Sequence, residues 1–279
     1  MEKTIQNEKV TVTISTRAAE VISFVDKDTS IERVWCRDPK YWINCNPVLF
    51  PYTGLLPEGK YTYQGKEYSL GSHGLARYAD FIFEDVKEDE ATLSLSSNEE
   101  LLKVYPFHFK LTVNYKLDGK KLLIHYRLDN LEEEELPFTI GFHPAFNCPM
   151  TEDSIFDDYY LEFAHEEDLH NPDFPDLNHG KTIMLKDVLY DKQLFYHNGQ
   201  ITSPYVDLTN GRHAIRVGIE GYDTLGFWRK NNDTPFVCIE PWYPRNGLKK
   251  APFFRGEELY NRLPGKESFK CEYYWEIVK

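Results

Sequence analysis

The stretch Phe107–Leu128, FHFKLTVNYKLDGKKLLIHYRL, decides the fold class of this 279-residue chain. Apolar and polar residues alternate up to Leu117 and again from Leu122, which is the period-2 pattern of half-buried β-strands. The pair Asp118-Gly119 lies between the two runs, and this pair is a strong signal for a β-hairpin with a type I′ turn. The sequence therefore predicts two long antiparallel strands joined by a tight turn.

Similar patterns occur along the rest of the chain. Two more turn pairs each separate two apolar runs. They are Asn210-Gly211, between Tyr205–Leu208 and Ile215–Ile219, and Asn232-Asp233, between Leu225–Trp228 and Phe236–Ile239. Helical patterns are confined to the short segments Asn98–Lys103 and Glu257–Tyr260, and no repeat or linker divides the chain. We therefore predict an all-β fold, a single antiparallel β-sandwich domain over residues 1–279.

The charge balance excludes several classes of partner. With 32 basic and 45 acidic side chains the net charge is −13, whereas nucleic acids and anionic membranes require concentrated lysine and arginine. No apolar run approaches a membrane span, and the first residues lack the apolar region of a signal peptide. The five cysteines are odd in number and have no CxxC spacing, which favours reduced thiols. We expect a cytoplasmic protein with no nucleic-acid or membrane partner.

Two segments resemble known motifs only in part. Gly54–Lys60 has the glycine and lysine spacing of a phosphate-binding loop, but Tyr61 stands where that motif needs serine or threonine for magnesium. His165 and His170 are five residues apart, and helical side chains at that spacing diverge too far to share a zinc ion in the usual way. Neither segment therefore indicates a nucleotide or metal site.

Three segments place titratable groups among aromatic residues and prolines. Their polar residues are His73, His143 and Glu240, and two histidines with one glutamate form a plausible acid/base set. Each residue also has a purely structural interpretation. Glu240 could bond a backbone or an arginine at a strand end, His143 could be a core histidine, and His73 could be a turn residue. The segments are Ser72–Arg77 (SHGLAR), Gly141–Phe146 (GFHPAF) and Phe236–Trp242 (FVCIEPW).

Four motifs give the chain a resemblance to a known family. It resembles the aldose 1-epimerase (galactose mutarotase-like) family, and within it the LacX-related subgroup. The resemblance extends from Val10 to Trp275 and implies a single β-supersandwich domain, a sugar cleft across one sheet, and catalysis without a metal or organic cofactor. The motifs are Asn46–Pro51 (NPVLFP), His73–Arg77 (HGLAR), Gly141–Phe146 (GFHPAF) and Cys238–Trp242 (CIEPW).

The resemblance also implies a role for each candidate residue. Glu240 would take the proton from the anomeric hydroxyl, His143 would give one to the ring oxygen, and His73 would hydrogen-bond near that oxygen. The required starting states are an ionised glutamate and a protonated histidine, which stabilise each other. Trp242 is the first candidate for stacking on the sugar, and Trp228 is the second.

The sugar-binding residues of the family are matched less well. In galactose mutarotases an arginine follows the asparagine of the first motif, but here Pro47 follows Asn46. Arg77 could supply the cation instead, or it could pair with a local acid. The family also uses an aspartate between the second histidine and the glutamate, and Asp191 is the nearest match, ahead of Asp223. We therefore take Arg77, Asn46, Trp242 and Asp191 as candidate substrate-binding residues.

Three functions remain open at this stage. The leading hypothesis is an aldose 1-epimerase that interconverts the α and β anomers of a hexose. The second is a hexose-6-phosphate 1-epimerase, which needs cations for the phosphate. The third is a non-catalytic carbohydrate-binding protein of the same fold. A glycosidase is disfavoured because it needs two positioned carboxylates. The sequence leaves open the sugar and the choice between monomer and homodimer. Cations that could serve a phosphate are Arg77, Arg245, Lys249 and Lys250.

Overall fold

The computed structural model describes residues 1–188, 193–197, 199–243 and 261–279. Strands dominate these residues, and all paired strands among them are antiparallel. The strands are β1 (Glu2–Gln6), β2 (Val10–Ser15), β3 (Val21–Asp26), β4 (Val48–Leu49), β5 (Lys60–Tyr63), β6 (Lys66–Ser69), β7 (Ile82–Val86), β8 (Glu90–Ser96), β9 (Phe109–Asp118), β10 (Lys121–Asn130), β11 (Leu136–Phe138), β12 (Ile140–Phe142), β13 (Ala145–Asn147), β14 (Tyr160–Asp168), β15 (His179–Met184), β16 (Leu194–Tyr196), β17 (Tyr205–Thr209), β18 (Ala214–Gly218), β19 (Thr224–Trp228), β20 (Phe236–Tyr243), β21 (Asn261–Leu263) and β22 (Ser268–Ile277).

Helices are few and short in the described residues. The α-helices are α1 (Glu99–Leu102) and α2 (Leu185–Val188), and 3₁₀ turns cover Pro57–Gly59, Ala76–Tyr78 and Phe156–Asp158. The first α-helix matches the predicted segment, because the Asn98 side chain caps it by accepting hydrogen bonds from the backbone amides of Glu100 and Leu101. The other predicted helix, Glu257–Tyr260, lies outside the described residues. No helix of the described chain has the length and apolar character to cross a bilayer.

Two large sheets form the body of the fold. One has nine strands in the order β15-β14-β17-β18-β22-β10-β9-β8-β7, and the other has the order β16-β19-β20-β12-β4, with β13 also paired to β20. The aromatic ring of Phe142 on β12 stacks on Tyr126 of β10 at 4.2 Å and on Tyr273 of β22 at 4.5 Å between centroids. The two sheets therefore pack face to face, as the predicted antiparallel sandwich requires.

All three predicted hairpins are present. The first joins β9 and β10, with Asp118 opposite Lys121, so that Gly119 and Lys120 form its loop. The other two join β17 to β18 and β19 to β20. The predicted type I′ turn is wrong in detail, because that type needs a positive φ at both loop residues and only Gly119, at 58°, has one. The all-β, antiparallel fold class is confirmed, while the division into domains stays a prediction.

Candidate active site

The candidate site lies on the face of the six-stranded sheet that points away from the nine-stranded sheet. Phe142 faces the core between the sheets, so its neighbours Gly141 and His143 lie on the opposite face, because side chains alternate along a strand. A side chain on Gly141 would overlap the indole of Trp242, so Trp242 lies on the same face as Gly141. Glu240 precedes Trp242 by two residues on the same strand and therefore shares that face.

Strand register brings the two principal candidates together. β12 pairs Gly141 with Trp242, and β13 pairs Ala145 with Cys238. The register is continuous across the gap between these pairs, so the residue opposite His143 is Glu240. The ring nitrogen Nε2 of His143 lies 3.4 Å from Oε1 of Glu240. The sheet backbone therefore positions this acid/base pair.

Glu240 has a glycine on its other side. β19 pairs Gly226 with Glu240, and a side chain on Gly226 would overlap the ring of Phe195. Without one, Phe195 packs over the strand and against Trp242, at 5.3 Å between ring centroids. This arrangement builds an aromatic wall beside the carboxylate.

His73 reaches the pair from a loop between β6 and a 3₁₀ turn. Its ring centroid lies 5.5 Å from that of His143 and 5.9 Å from that of Trp242. The loop is tied to Phe50, whose carbonyl oxygen accepts hydrogen bonds from Leu75 and Ala76 at 2.8 and 3.1 Å. The structure therefore brings His73, His143 and Glu240 together.

Gly74 allows this close approach. Its φ is +79°, and a Cβ at this position would overlap the carbonyl of Phe50. His73 itself has a φ of 60°, in the left-handed region that non-glycine residues seldom occupy. The loop thus contains backbone strain at His73, the residue whose ring approaches His143 and Trp242.

The backbone fixes the tautomer of His73. Its Nδ1 accepts a hydrogen bond from the amide of Gly54 at 3.1 Å. Burial lowers the pKa of His73 to about 3, and the charge of Arg77 contributes to this fall. The ring is therefore neutral at physiological pH, and its proton lies on Nε2. His73 can donate a hydrogen bond, but it does not serve as a proton-transfer acid near neutral pH.

Burial favours the uncharged form of both members of the pair. Glu240 is 2% exposed and His143 is 6% exposed. Burial raises the pKa of Glu240 to about 8, although the Trp242 side chain and the charge of Arg77 oppose the rise. Burial also lowers the pKa of His143 well below its ordinary value, as do the nearby His73 and Arg77. The expected ionised glutamate and protonated histidine are thus not the favoured state of the free protein, because desolvation penalises both charges.

Partly exposed aromatic side chains surround the buried pair. The ring of Trp42 lies 4.8 Å from the ring of His143, and Trp228 lies 5.3 Å from it, edge to face. Both tryptophans are half-buried, whereas Trp242 is only 5% exposed. Trp42 and Trp228 are therefore better placed to contact a ligand than Trp242, the first candidate from the sequence.

The predicted sugar-binding residues have different environments. Both polar atoms of the Asn46 amide bond the backbone of Val21, which favours a structural role over a contact with substrate. Arg77 is half-buried, and no carboxylate of the described residues forms an ion pair with it. Its Nε has no hydrogen-bond partner among those residues. Asp191 lies outside the described residues.

Sequence reasoning missed two residues of the site, Trp42 and Phe195. Neither belongs to a motif, and each is distant in sequence from the site residue it contacts, His143 for Trp42 and Trp242 for Phe195. The one local signal was Gly226, a glycine inside an apolar strand, which often marks a close approach of another group.

Comparison with known proteins identifies relatives of the whole chain. A family model described as aldose 1-epimerase matches residues 1–257. Protein LacX, encoded on a plasmid of Lactococcus lactis subsp. lactis, is 34% identical over 258 residues, which cover 85% of this chain and 86% of LacX. The structure of a galactose mutarotase related enzyme from Lactobacillus acidophilus matches with a TM-score of 0.87 and 30% identity, covering 100% of this chain and 98% of that one.

A more distant structure shows how widely the fold is shared. Galactose 1-epimerase from Lactobacillus acidophilus NCFM matches with a TM-score of 0.65 and 16% identity, covering 99% of this chain and 93% of that one. At this identity the match concerns the fold alone. The fold is therefore galactose mutarotase-like.

Proposed function

This chain belongs to the aldose 1-epimerase family, and we propose that it is itself an aldose 1-epimerase, interconverting the α and β anomers of a hexose. The observation that carries the proposal is the pairing of His143 with Glu240, whose Nε2 and Oε1 atoms lie 3.4 Å apart in a buried site. Two adjacent proton-transfer groups of different type are what ring opening of a hemiacetal requires.

The reaction requires that His143 and Glu240 together carry one transferable proton. In ring opening the C1–O5 bond breaks, one group takes the proton of the C1 hydroxyl, and the other gives its proton to O5. Rotation about C1–C2 and the reverse transfers then produce the other anomer. An ionised Glu240 with a protonated His143 has the same proton count as a neutral Glu240 with a neutral His143, so sugar binding can select either arrangement without uptake of a proton.

The resting protonation state suits this reversible chemistry. In the opening step in which Glu240 acts as base, the products are a protonated glutamate and a neutral histidine, which is the state that burial favours in the free protein. The buried environment thus stabilises the enzyme form that accompanies the open-chain sugar. Each positioned proton-transfer group typically contributes about 10²–10⁴-fold to the rate.

The residues around the pair complete the proposed site. His73 would donate from Nε2 to a sugar oxygen, because its Nδ1 already accepts from Gly54. Trp42 and Trp228 would pack on the apolar face of the ring, because both are partly exposed beside His143. Arg77 would contact a hydroxyl or an acidic substituent of the sugar.

Arg77 also supports a second candidate, a hexose-6-phosphate 1-epimerase. A guanidinium with no carboxylate partner among the described residues suits a phosphate. The other cations named for that role, Arg245, Lys249 and Lys250, lie outside the described residues. The net charge of −13 opposes long-range attraction of anions, so the neutral hexose remains the first choice.

Anomer exchange measured over a panel of sugars tests the proposal. Polarimetry or NMR would follow freshly dissolved pure anomers of several aldoses and of their 6-phosphates, with and without the protein. Faster anomer exchange of free hexoses supports the proposal. Faster anomer exchange of the 6-phosphates alone supports the second candidate. Sugar binding without acceleration of any member would contradict both and indicate a carbohydrate-binding protein.

A further inference from the structure

Cys238 lies beside the acid/base pair, and the proposed reaction gives it no role. It precedes Glu240 by two residues on β20, so both side chains point to the same face. Donor atoms of Cys238, Glu240 and His143 all lie within 4.8 Å of one another. These residues are 0, 2 and 6% exposed, respectively. Within the described part of the chain, no other group of three potential metal ligands is as close.

This donor set has the composition of a site for a soft divalent cation. Thiolate, imidazole and carboxylate are the ligands of Zn²⁺, at bond lengths of about 2.0–2.3 Å, so the donors around one ion stand about 3.3–3.7 Å apart. His143 and Glu240 already meet this requirement at 3.4 Å. The sulfur of Cys238 needs to move by at most about 1 Å, and three protein ligands leave a fourth position open.

The two ring nitrogens of His143 have different environments. The Nδ1 atom of His143 is buried and has no hydrogen-bond partner among the described residues, although buried polar atoms are normally paired. The nitrogen that faces Glu240 is Nε2, so Nε2 would be the histidine ligand of the site.

We propose that Cys238, His143 and Glu240 form a binding site for a soft divalent cation such as Zn²⁺ or Cd²⁺, and that cation and sugar exclude each other. Glu240 and a thiolate together neutralise the charge of the ion, which makes the buried site electrostatically acceptable. The exclusion rests on the proposed function, because the sugar would need the same His143 and Glu240 atoms. Cation binding itself does not depend on that function.

Titration with cadmium tests the site directly. The ultraviolet charge-transfer band of a cadmium–thiolate bond reports the sulfur ligand, and a Cys36→Ser background removes the exposed thiol. We expect one cadmium ion per chain, and we expect Cys238→Ser to abolish the band and weaken binding by at least about 10²-fold, since even outer-shell changes cost up to that factor. Cys148→Ser, a change at another fully buried cysteine, is the matched control and should keep the band.

The contrary results are equally clear. Stoichiometric binding of cadmium without the charge-transfer band would overturn the site. A charge-transfer band that persists in Cys238→Ser would overturn it as well. Should Cys238→Ser fail to fold by circular dichroism, His143→Asn provides a second test, because it keeps the thiol and should still weaken binding. If the saturating aldose leaves cadmium affinity unchanged, mutual exclusion is wrong. An intact cadmium site in a protein that accelerates no anomer exchange would contradict the proposed function and leave the site standing.

Discussion

At the scale of single residues, the pair Glu240 and His143 combines closeness with burial. Both pKa values move so that the uncharged forms are favoured, upward for the glutamate and downward for the histidine. Near neutral pH the pair therefore holds one proton, and it keeps that proton over a wide range. The two titrations belong to the pair rather than to either residue alone.

The pH dependence of kcat/KM follows from this proton count. The pair gains a second proton only well below the ordinary histidine pKa of about 6.5, and it loses its last proton near pH 8. We expect a plateau that includes neutral pH and a decline above about pH 8, after the uncatalysed rate is subtracted at each pH. Arg77→Met should move the alkaline decline to higher pH, because the charge of Arg77 lowers the pKa of Glu240. A decline centred near pH 6.5 would contradict this description.

His73 should contribute a hydrogen bond and no titration. In His73→Asn the side chain can still accept from the Gly54 amide, and asparagine tolerates the positive φ of this position, but the Nε2 donor is lost. We expect kcat/KM to fall by roughly tenfold, which is the value of one hydrogen bond. The pH profile should keep its shape. A shifted profile would show that His73 takes part in proton transfer.

At the scale of elements, the loop around Gly74 places His73 in the site. Gly74→Ala adds a Cβ that overlaps the Phe50 carbonyl at a φ of +79°. Gly65→Ala is the matched control, because Gly65 has a φ of +78° and open space around it. We expect the control to lose only the left-handed backbone preference, about 1–2 kcal/mol, with unchanged kcat.

The Gly74→Ala variant should lose more stability than the control and should lose activity as well. Urea unfolding gives the difference in stability, and anomer exchange gives the activity. Equal behaviour of the two variants would show that the contact between Gly74 and Phe50 does not position His73.

The sequence predicted elements better than it predicted contacts between them. Alternation and turn pairs predicted the three hairpins, because strand period and turn chemistry are local properties. The motifs also named His73, His143 and Glu240. Local patterns carry no information on which distant loop returns to a site, so Trp42 was missed and Trp242 was preferred as the stacking residue. Its burial behind Phe195 follows from Gly226, one strand away.

At the scale of the whole molecule, the site costs stability. A buried carboxyl with a pKa of about 8 binds a proton in the folded state between about pH 4.3 and 8, where the unfolded state binds none. The free energy of unfolding therefore falls as pH rises through this window. The buried histidines have the opposite effect, but only below about pH 6.5, where the unfolded chain protonates them.

Glu240→Gln should remove this cost. We expect the variant to gain stability relative to the wild type as pH rises from about 6.5 to 8, by about 1 kcal/mol per pH unit. Urea unfolding of both proteins at each pH measures the difference in the free energy of unfolding. The other titrating groups are common to both proteins and their contribution cancels, because the two net charges differ by at most one. A difference that stays constant with pH would contradict the raised pKa of Glu240.

The whole-molecule charge and the aromatic content fit one interpretation. The net charge of −13 disfavours anions, which agrees with a neutral sugar. Most of the aromatic residues that the structure describes pack in the core, while Trp42, Trp228 and Phe195 form the wall of the site.

The rate of anomer exchange in wild type, Glu240→Gln and His143→Asn is the most direct test of the central claim. Glu272→Gln and His125→Asn are matched controls, because these side chains are 75 and 41% exposed on the nine-stranded sheet. We expect each site variant to lose about 10²–10⁴-fold of the enzymatic rate while folding normally by circular dichroism, and the controls to keep it. Wild-type rates in both site variants would contradict the assignment of the acid/base pair.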